Sequence, residues 1–181
     1  MNTDTLIVDD ATPPIDVLCA ESHWTELRVP CAREAVERAE RFIEQMDCDL
    51  DVEARESFRL AFRELLMNAV EWGGTLDATR RVRVLRMRAR GVLVYRITDP
   101  GPGFRFTDLT HAAVAHAGES AIAHMQVRDS AGMRAGGFGL MIARAIADEL
   151  MFNERGNEVT FVKYLAEPSW KIGAAAGRGK P

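Results

Sequence analysis

Residues 92–104 read Val-Leu-Val-Tyr-Arg-Ile-Thr-Asp-Pro-Gly-Pro-Gly-Phe. The first seven alternate: Leu93, Tyr95 and Ile97 fall on one face of an extended chain, Val94, Arg96 and Thr98 on the other. The same parity carries Asp99 onto the apolar face. An acid there is costly to bury unless it accepts hydrogen bonds, and the amino group of a nucleobase is a suitable donor. Gly101 and Gly103 let backbone approach a flat ring closely. Taken alone, the stretch is equally an ordinary turn after a strand.

Upstream, Arg81 to Ala89 reads as a second strand, paired to the first around Arg90-Gly91. Arg80, Arg81, Arg83, Arg86, Arg88 and Arg90 crowd this hairpin. They are expected on a solvated sheet face, with an acidic docking partner as the alternative. Before the hairpin a helix is expected from about Val52 to Trp72, stopped by Gly73-Gly74. Phe58, Phe62, Leu65 and Ala69 form its core stripe, while Ala61, Glu64, Asn68 and Glu71 form a second. Glu64 and Asn68 stand one turn apart and point the same way. An acid and a carboxamide so placed can share a hydrated Mg²⁺ with phosphates, and the acid can orient or deprotonate a nucleophile. The pair alone is more often a solvated helix face. An earlier helix, Ala32 to Met46, shows apolar residues at steps of three and four, with Pro30 just ahead of it.

Downstream, residues 104–135 hold few large apolar groups after their start, and a connection of that length is usually functional or mobile. His111, His116 and His124 within it are expected at the surface rather than on a metal; Arg128 and Arg134 suit a γ-phosphate or solvent equally. Gly136-Gly137-Phe138-Gly139 opens a third helix, Leu140 to about Met151, and helix N-termini offer free N–H groups to phosphate. It is not a Walker A motif. A last strand runs from Val159 to Leu165. The expected fold is an α/β sandwich: a mixed, mostly antiparallel sheet with helices packed on one face. Residues 1–20 are expected to be a tail or loose arm, 21–166 the domain, and 167–181 a disordered tail.

Composition narrows the function. The 181 residues carry 23 basic and 27 acidic side chains, a formal net charge of −4, which speaks against nucleic acid as a partner. No apolar run approaches the roughly 18 residues that span a bilayer, so no membrane role is expected. The acidic N-terminus is not a secretory signal. Cys19, Cys31 and Cys48 form no CxxC pair. A cytoplasmic location is the expectation.

Together, Glu64-x-x-x-Asn68, Asp99-x-Gly101-x-Gly103 and Gly137-x-Gly139, in that order, resemble the ATP-binding domain of the GHKL superfamily, which has the Bergerat-type fold. Asn68-Ala-Val-Glu-Trp-Gly and Asn157-Glu-Val-Thr make it most similar to the stand-alone anti-sigma-factor serine/threonine kinases. The resemblance covers roughly Glu21 to Leu165. It implies that Glu64 is the general base and Asn68 the Mg²⁺ ligand. It further implies that Asp99 reads the adenine amino group, that Gly101 and Gly103 lie beside the base, that Gly137 and Gly139 lie at the phosphates, and that Thr160 lies near the adenine. The implied cofactors are ATP and Mg²⁺. The implied partners are a small regulatory protein substrate and a sigma factor, with a homodimer as the implied assembly. A non-catalytic nucleotide-dependent binding module and a detached histidine-kinase catalytic domain stand as alternatives. The region 104–135, the expected lid, departs most from the family pattern.

Overall fold

The structure, a computed structural model, describes residues 3–4, 15–20, 24–89, 91–104 and 139–165. Among these residues seven strands form one sheet: β1 (Thr3–Asp4), β2 (Asp16–Ala20), β3 (Trp24–Pro30), β4 (Arg81–Ala89), β5 (Val92–Thr98), β6 (Glu149–Phe152) and β7 (Glu158–Tyr164). Their order is β1-β2-β3-β4-β5-β7-β6, and every pairing among the described residues is antiparallel. The expected mixed sheet is thus antiparallel throughout the described part. Among the described residues three α-helices, α1 (Arg33–Met46), α2 (Val52–Asn68) and α3 (Gly139–Ile146), accompany it.

Alternation explains which sheet face the helices cover. Leu27 and Val29 of β3, Val82 and Val84 of β4, Leu93, Tyr95 and Ile97 of β5, and Val159 and Phe161 of β7 are buried. Against them lie Ala35, Val36, Ala39 and Ile43 of α1 and Phe58, Ala61, Phe62, Leu65 and Leu66 of α2. The Tyr95 ring lies 5.3 Å from Phe62 and 6.1 Å from Phe161, centroid to centroid, joining helix layer to sheet. Asp51 starts α2 by accepting the Ala54 N–H at 2.9 Å. α3 packs against α2.

Four sequence expectations change. Part of 1–20 belongs to the sheet, because β2 pairs with β3 along its whole length. The segment ahead of α1 is a strand ending at Pro30, which the sequence reading did not expect, and Thr25, Leu27 and Val29 supply its alternation. The third helix stops at Ile146, and Glu149–Phe152 joins β7 instead. Asp148 holds that corner: its carboxylate takes the Tyr164 N–H at 2.6 Å and Lys163 Nζ at 2.9 Å.

The fourth concerns Arg86, which shares a parity with Val82 and Val84 and is buried on the helix side instead of solvated. It donates to Asp47, which is also buried and also accepts from the Tyr95 hydroxyl. Burial and the neighbouring Asp47 carboxylate push the Tyr95 phenol well above its ordinary value. This trio fastens the turn between α1 and α2 to the sheet. Glu40, buried on α1, similarly meets Arg59 Nη1 at 2.7 Å and Arg63 Nη1 at 3.2 Å on α2. The expected lid at 104–135 is described only at Phe104, and the tail 167–181 lies outside the described residues.

Candidate functional site

β5 delivers Asp99 to the helix side of the sheet, as its parity requires. The loop after it turns back so that the Gly101 N–H donates to Asp99 Oδ1 at 2.7 Å. Gly73 closes over the carboxyl from α2's side; a methyl on Gly73 would overlap it, and one on Gly101 would sit 2.8 Å from the Gly73 backbone. Asn157 braces the strand end: Asp99 N–H donates to the Asn157 carbonyl at 2.9 Å, and Asn157 Nδ2 donates to the Asp99 carbonyl at 3.1 Å. Burial raises the Asp99 carboxyl above its ordinary value, against the Gly101 N–H and the charges of Arg80 and Arg155, which lower it. A half-buried carboxylate with one hydrogen bond among the described residues has further acceptor capacity for a ligand donor.

At the other end, Glu64 and Asn68 occupy successive turns of α2 and are both half-buried. Gly139, the first residue of α3, lies directly on Glu64: a methyl on Gly139 would strike the carboxylate oxygen Oε2. The start of α3, whose first N–H groups have no partner within the helix, therefore lies beside that acid. Among the described residues no group of three or more His, Cys, Asp and Glu could cage a metal ion. One carboxamide with a nearby carboxylate instead suits a cation that keeps its waters and binds mainly through phosphate oxygens.

Both ends hang on one helical rod. α2 passes without a break into a π-helical turn, Ala69–Gly73, whose last residue touches Asp99. Such turns often occur at functional sites, where the extra residue re-aims the backbone. Glu71 on this turn is paired with Arg33 of α1 at 3.0 Å. From Glu64 to Gly73 the rise is about 13 Å along the axis, the scale of a nucleoside triphosphate.

The structure thus brings Glu64, Asn68 and Gly139 to one end and Asp99 and Gly101 to the other. Gly103 has a different contact. At φ +84 it presses on the Arg155 carbonyl, while Gly156, at φ +77, presses on the Phe104 carbonyl. Positive angles favour glycine, and a side chain at either position would run into the facing carbonyl, so the pair locks the loop onto the β6–β7 turn. Thr160 pairs with Arg96 across β5–β7, while Val159 and Phe161 on either side are buried. It therefore shares the sheet face of exposed Arg96, opposite Asp99, and is not brought to the cluster. Asn157, with the inward parity of Val159, stands beside Asp99 instead. Gly137 lies outside the described residues. Gly73, Asn157, Arg80 and Arg155 were not expected as site residues; for Asn157 two signals were present, its place at the head of the Asn157-Glu-Val-Thr stretch and its parity with Val159.

A model of the histidine kinase-like ATPase domain matches residues 29–163. The chain belongs to this family, and membership implies an ATP-binding site on this fold. No curated protein matches it.

Proposed function

We propose that the protein is an ATP- and Mg²⁺-dependent serine/threonine protein kinase of the anti-sigma-factor type, acting on a small regulatory protein. The observation that carries this reading is the single rod from Glu64 and Asn68 to Gly73, with an acid at each end and a helix start facing one of them. In this reading Asp99 accepts the exocyclic amino group of adenine, and Gly73 and Gly101 leave room for the ring. The α3 N-terminus faces the phosphates. Asn68 holds Mg²⁺, which supplies charge neutralisation to the transferring phosphoryl group.

Glu64 is aimed where the acceptor hydroxyl arrives. The hydroxyl oxygen forms a bond to the γ-phosphorus as the bond from that phosphorus to the β,γ-bridging oxygen breaks. The hydroxyl proton goes to the Glu64 carboxylate, and ADP leaves. A sigma factor as second partner and a homodimeric assembly belong to the same reading.

The test is transfer from γ-labelled ATP to a candidate regulatory protein, with Glu64→Gln as control. Acid-stable phosphoserine or phosphothreonine, formed by the wild type and lost in E64Q with ATP affinity retained, is the expected result. Acid-labile label would make the chain a detached histidine-kinase catalytic domain. Partner binding that depends on ATP but is indifferent to E64Q, without transfer, would make it a nucleotide-dependent binding module.

A further inference from the structure

Two arginines from separate turns grip the loop that follows Asp99. Arg80 Nη2 donates to the Pro100 carbonyl at 2.5 Å. Arg155 donates through Nε to the Pro102 carbonyl at 3.1 Å and through Nη2 to the Gly101 carbonyl at 3.2 Å. Three successive carbonyls of one short loop are therefore held by guanidinium groups from opposite sides. Both arginines stand on fixed turns. The backbone leaves the π-helical turn through Thr75 and Leu76, at φ 55 and 56, and the Arg80 N–H then donates to the Asp77 carbonyl at 2.9 Å. The Arg80 carbonyl in turn accepts from Cys31 N–H at 3.1 Å. The Arg155 turn is organised by Asn153 Oδ1, which accepts from the N–H groups of Gly156, Asn157 and Glu158 at 2.8, 3.1 and 3.2 Å.

We infer that Arg80 and Arg155 are positioning residues for base recognition, acting together as a clamp that fixes the Pro100–Pro102 carbonyls and so aims Asp99 at the amino group of a 6-aminopurine rather than a 6-oxopurine. The inference rests on the reading of Asp99 as the base-binding acid. It adds two independently removable groups that touch the loop rather than the reacting atoms. Among the described residues, the charged and titratable groups that face Asp99 are Arg80 from the turn before β4, Arg155 from the turn before β7, and Cys31 just after β3. Both arginines also favour its ionised form, and burial opposes it, so losing either one should move the acid-side loss of binding upward in pH.

The experiment titrates full-length wild type, R80A, R155A, R155K and D99N with ATP and with GTP between pH 5 and pH 8, roughly the range in which side-chain and phosphate titrations can be separated against wild type. Expected for R80A and R155A is about a tenfold loss of ATP affinity. GTP affinity should change less, and the acid limb should move to higher pH. R155K retains the charge but not the two-carbonyl fork, so it should keep the wild-type acid limb and still lose discrimination between ATP and GTP. Melting temperatures separate this from unfolding. If D99N weakens ATP binding while R80A and R155A match the wild type in affinity, pH profile and discrimination, the clamp is overturned and the base-binding acid stands. If D99N binds ATP as the wild type does, both fall.

Discussion

Asp99 combines two demands that conflict at the level of one side chain. It stands at the end of an apolar strand face, where burial raises its carboxyl above the ordinary value. A raised value in the folded state means that folding favours the protonated acid. That contribution is full below the ordinary carboxylate range and is lost as pH rises through the Asp99 value, so at neutral pH the ionised group costs stability. Asp99→Asn is therefore expected to raise the melting temperature at pH 7 while abolishing ATP binding, with the gain shrinking toward about pH 4. Paired thermal melts at the two pH values check this; a lower melting temperature at pH 7 contradicts it. Glu64 offers a second residue-scale expectation. Gly139→Ala places a methyl against its carboxylate, so transfer should fall by about a hundredfold through misplacement of the acid. ATP affinity should fall by a smaller factor, about tenfold or less, since the same position opens the α3 N-terminus that faces the phosphates. Single-turnover kinetics beside calorimetric binding separate the two effects.

At the scale of elements, the hairpin was the most legible part of the chain. Its alternation places β4 at Arg81–Ala89 and β5 at Val92–Thr98, as the structure has them, because local period and pairing agree there. The same alternation, applied to Arg86, would have found a buried arginine; the density of charge in the hairpin suggested a solvated face instead. Arg86 is tolerated because Asp47 and Tyr95 complete it. Removing one partner leaves a buried charge, so Arg86→Met is expected to cost about 3 kcal/mol or more in urea unfolding. Tyr95→Phe, which removes one hydrogen bond to the same carboxylate, is expected to cost about 1 kcal/mol. Equal effects of the two would contradict the trio as described. The β6 strand was not legible because Leu140 to Met151 keeps a helical rhythm, and a four-residue strand is decided by its pairing to β7 rather than by local propensity. Thr160 shows the limit of motif matching: its residue type fits a site near a base, but its register puts it across the sheet from Asp99.

For the molecule as a whole, the helix-on-sheet architecture was readable, as was the placement of Glu64 and Asn68 on a helix and of Asp99 at a strand end, since these depend on motifs carried by regular elements. The extension of the sheet by β1 and β2 was not, because Pro13-Pro14 and the lack of a helical period in 1–20 resemble an arm. That extension covers the edge of β3. Deleting residues 1–20 is expected to lower the melting temperature and promote self-association through the exposed strand. ATP affinity should remain, since Asp99 directly follows β5, which β4 separates from β3 in the sheet order. Light scattering and nucleotide titration of the truncated protein check the two halves of that statement.

The central claim is an ATP site strung along α2 and its π-helical turn, between Asn68 and Asp99. Calorimetric titration of nucleotide-free protein with ATP, with and without Mg²⁺, tests it most directly, with Asn68→Ala measured alongside. Saturable binding that strengthens with Mg²⁺ in the wild type, and loses that Mg²⁺ dependence in the folded Asn68→Ala protein, is the predicted result. No ATP binding by folded wild-type protein, or Mg²⁺ dependence unchanged by Asn68→Ala, would contradict it.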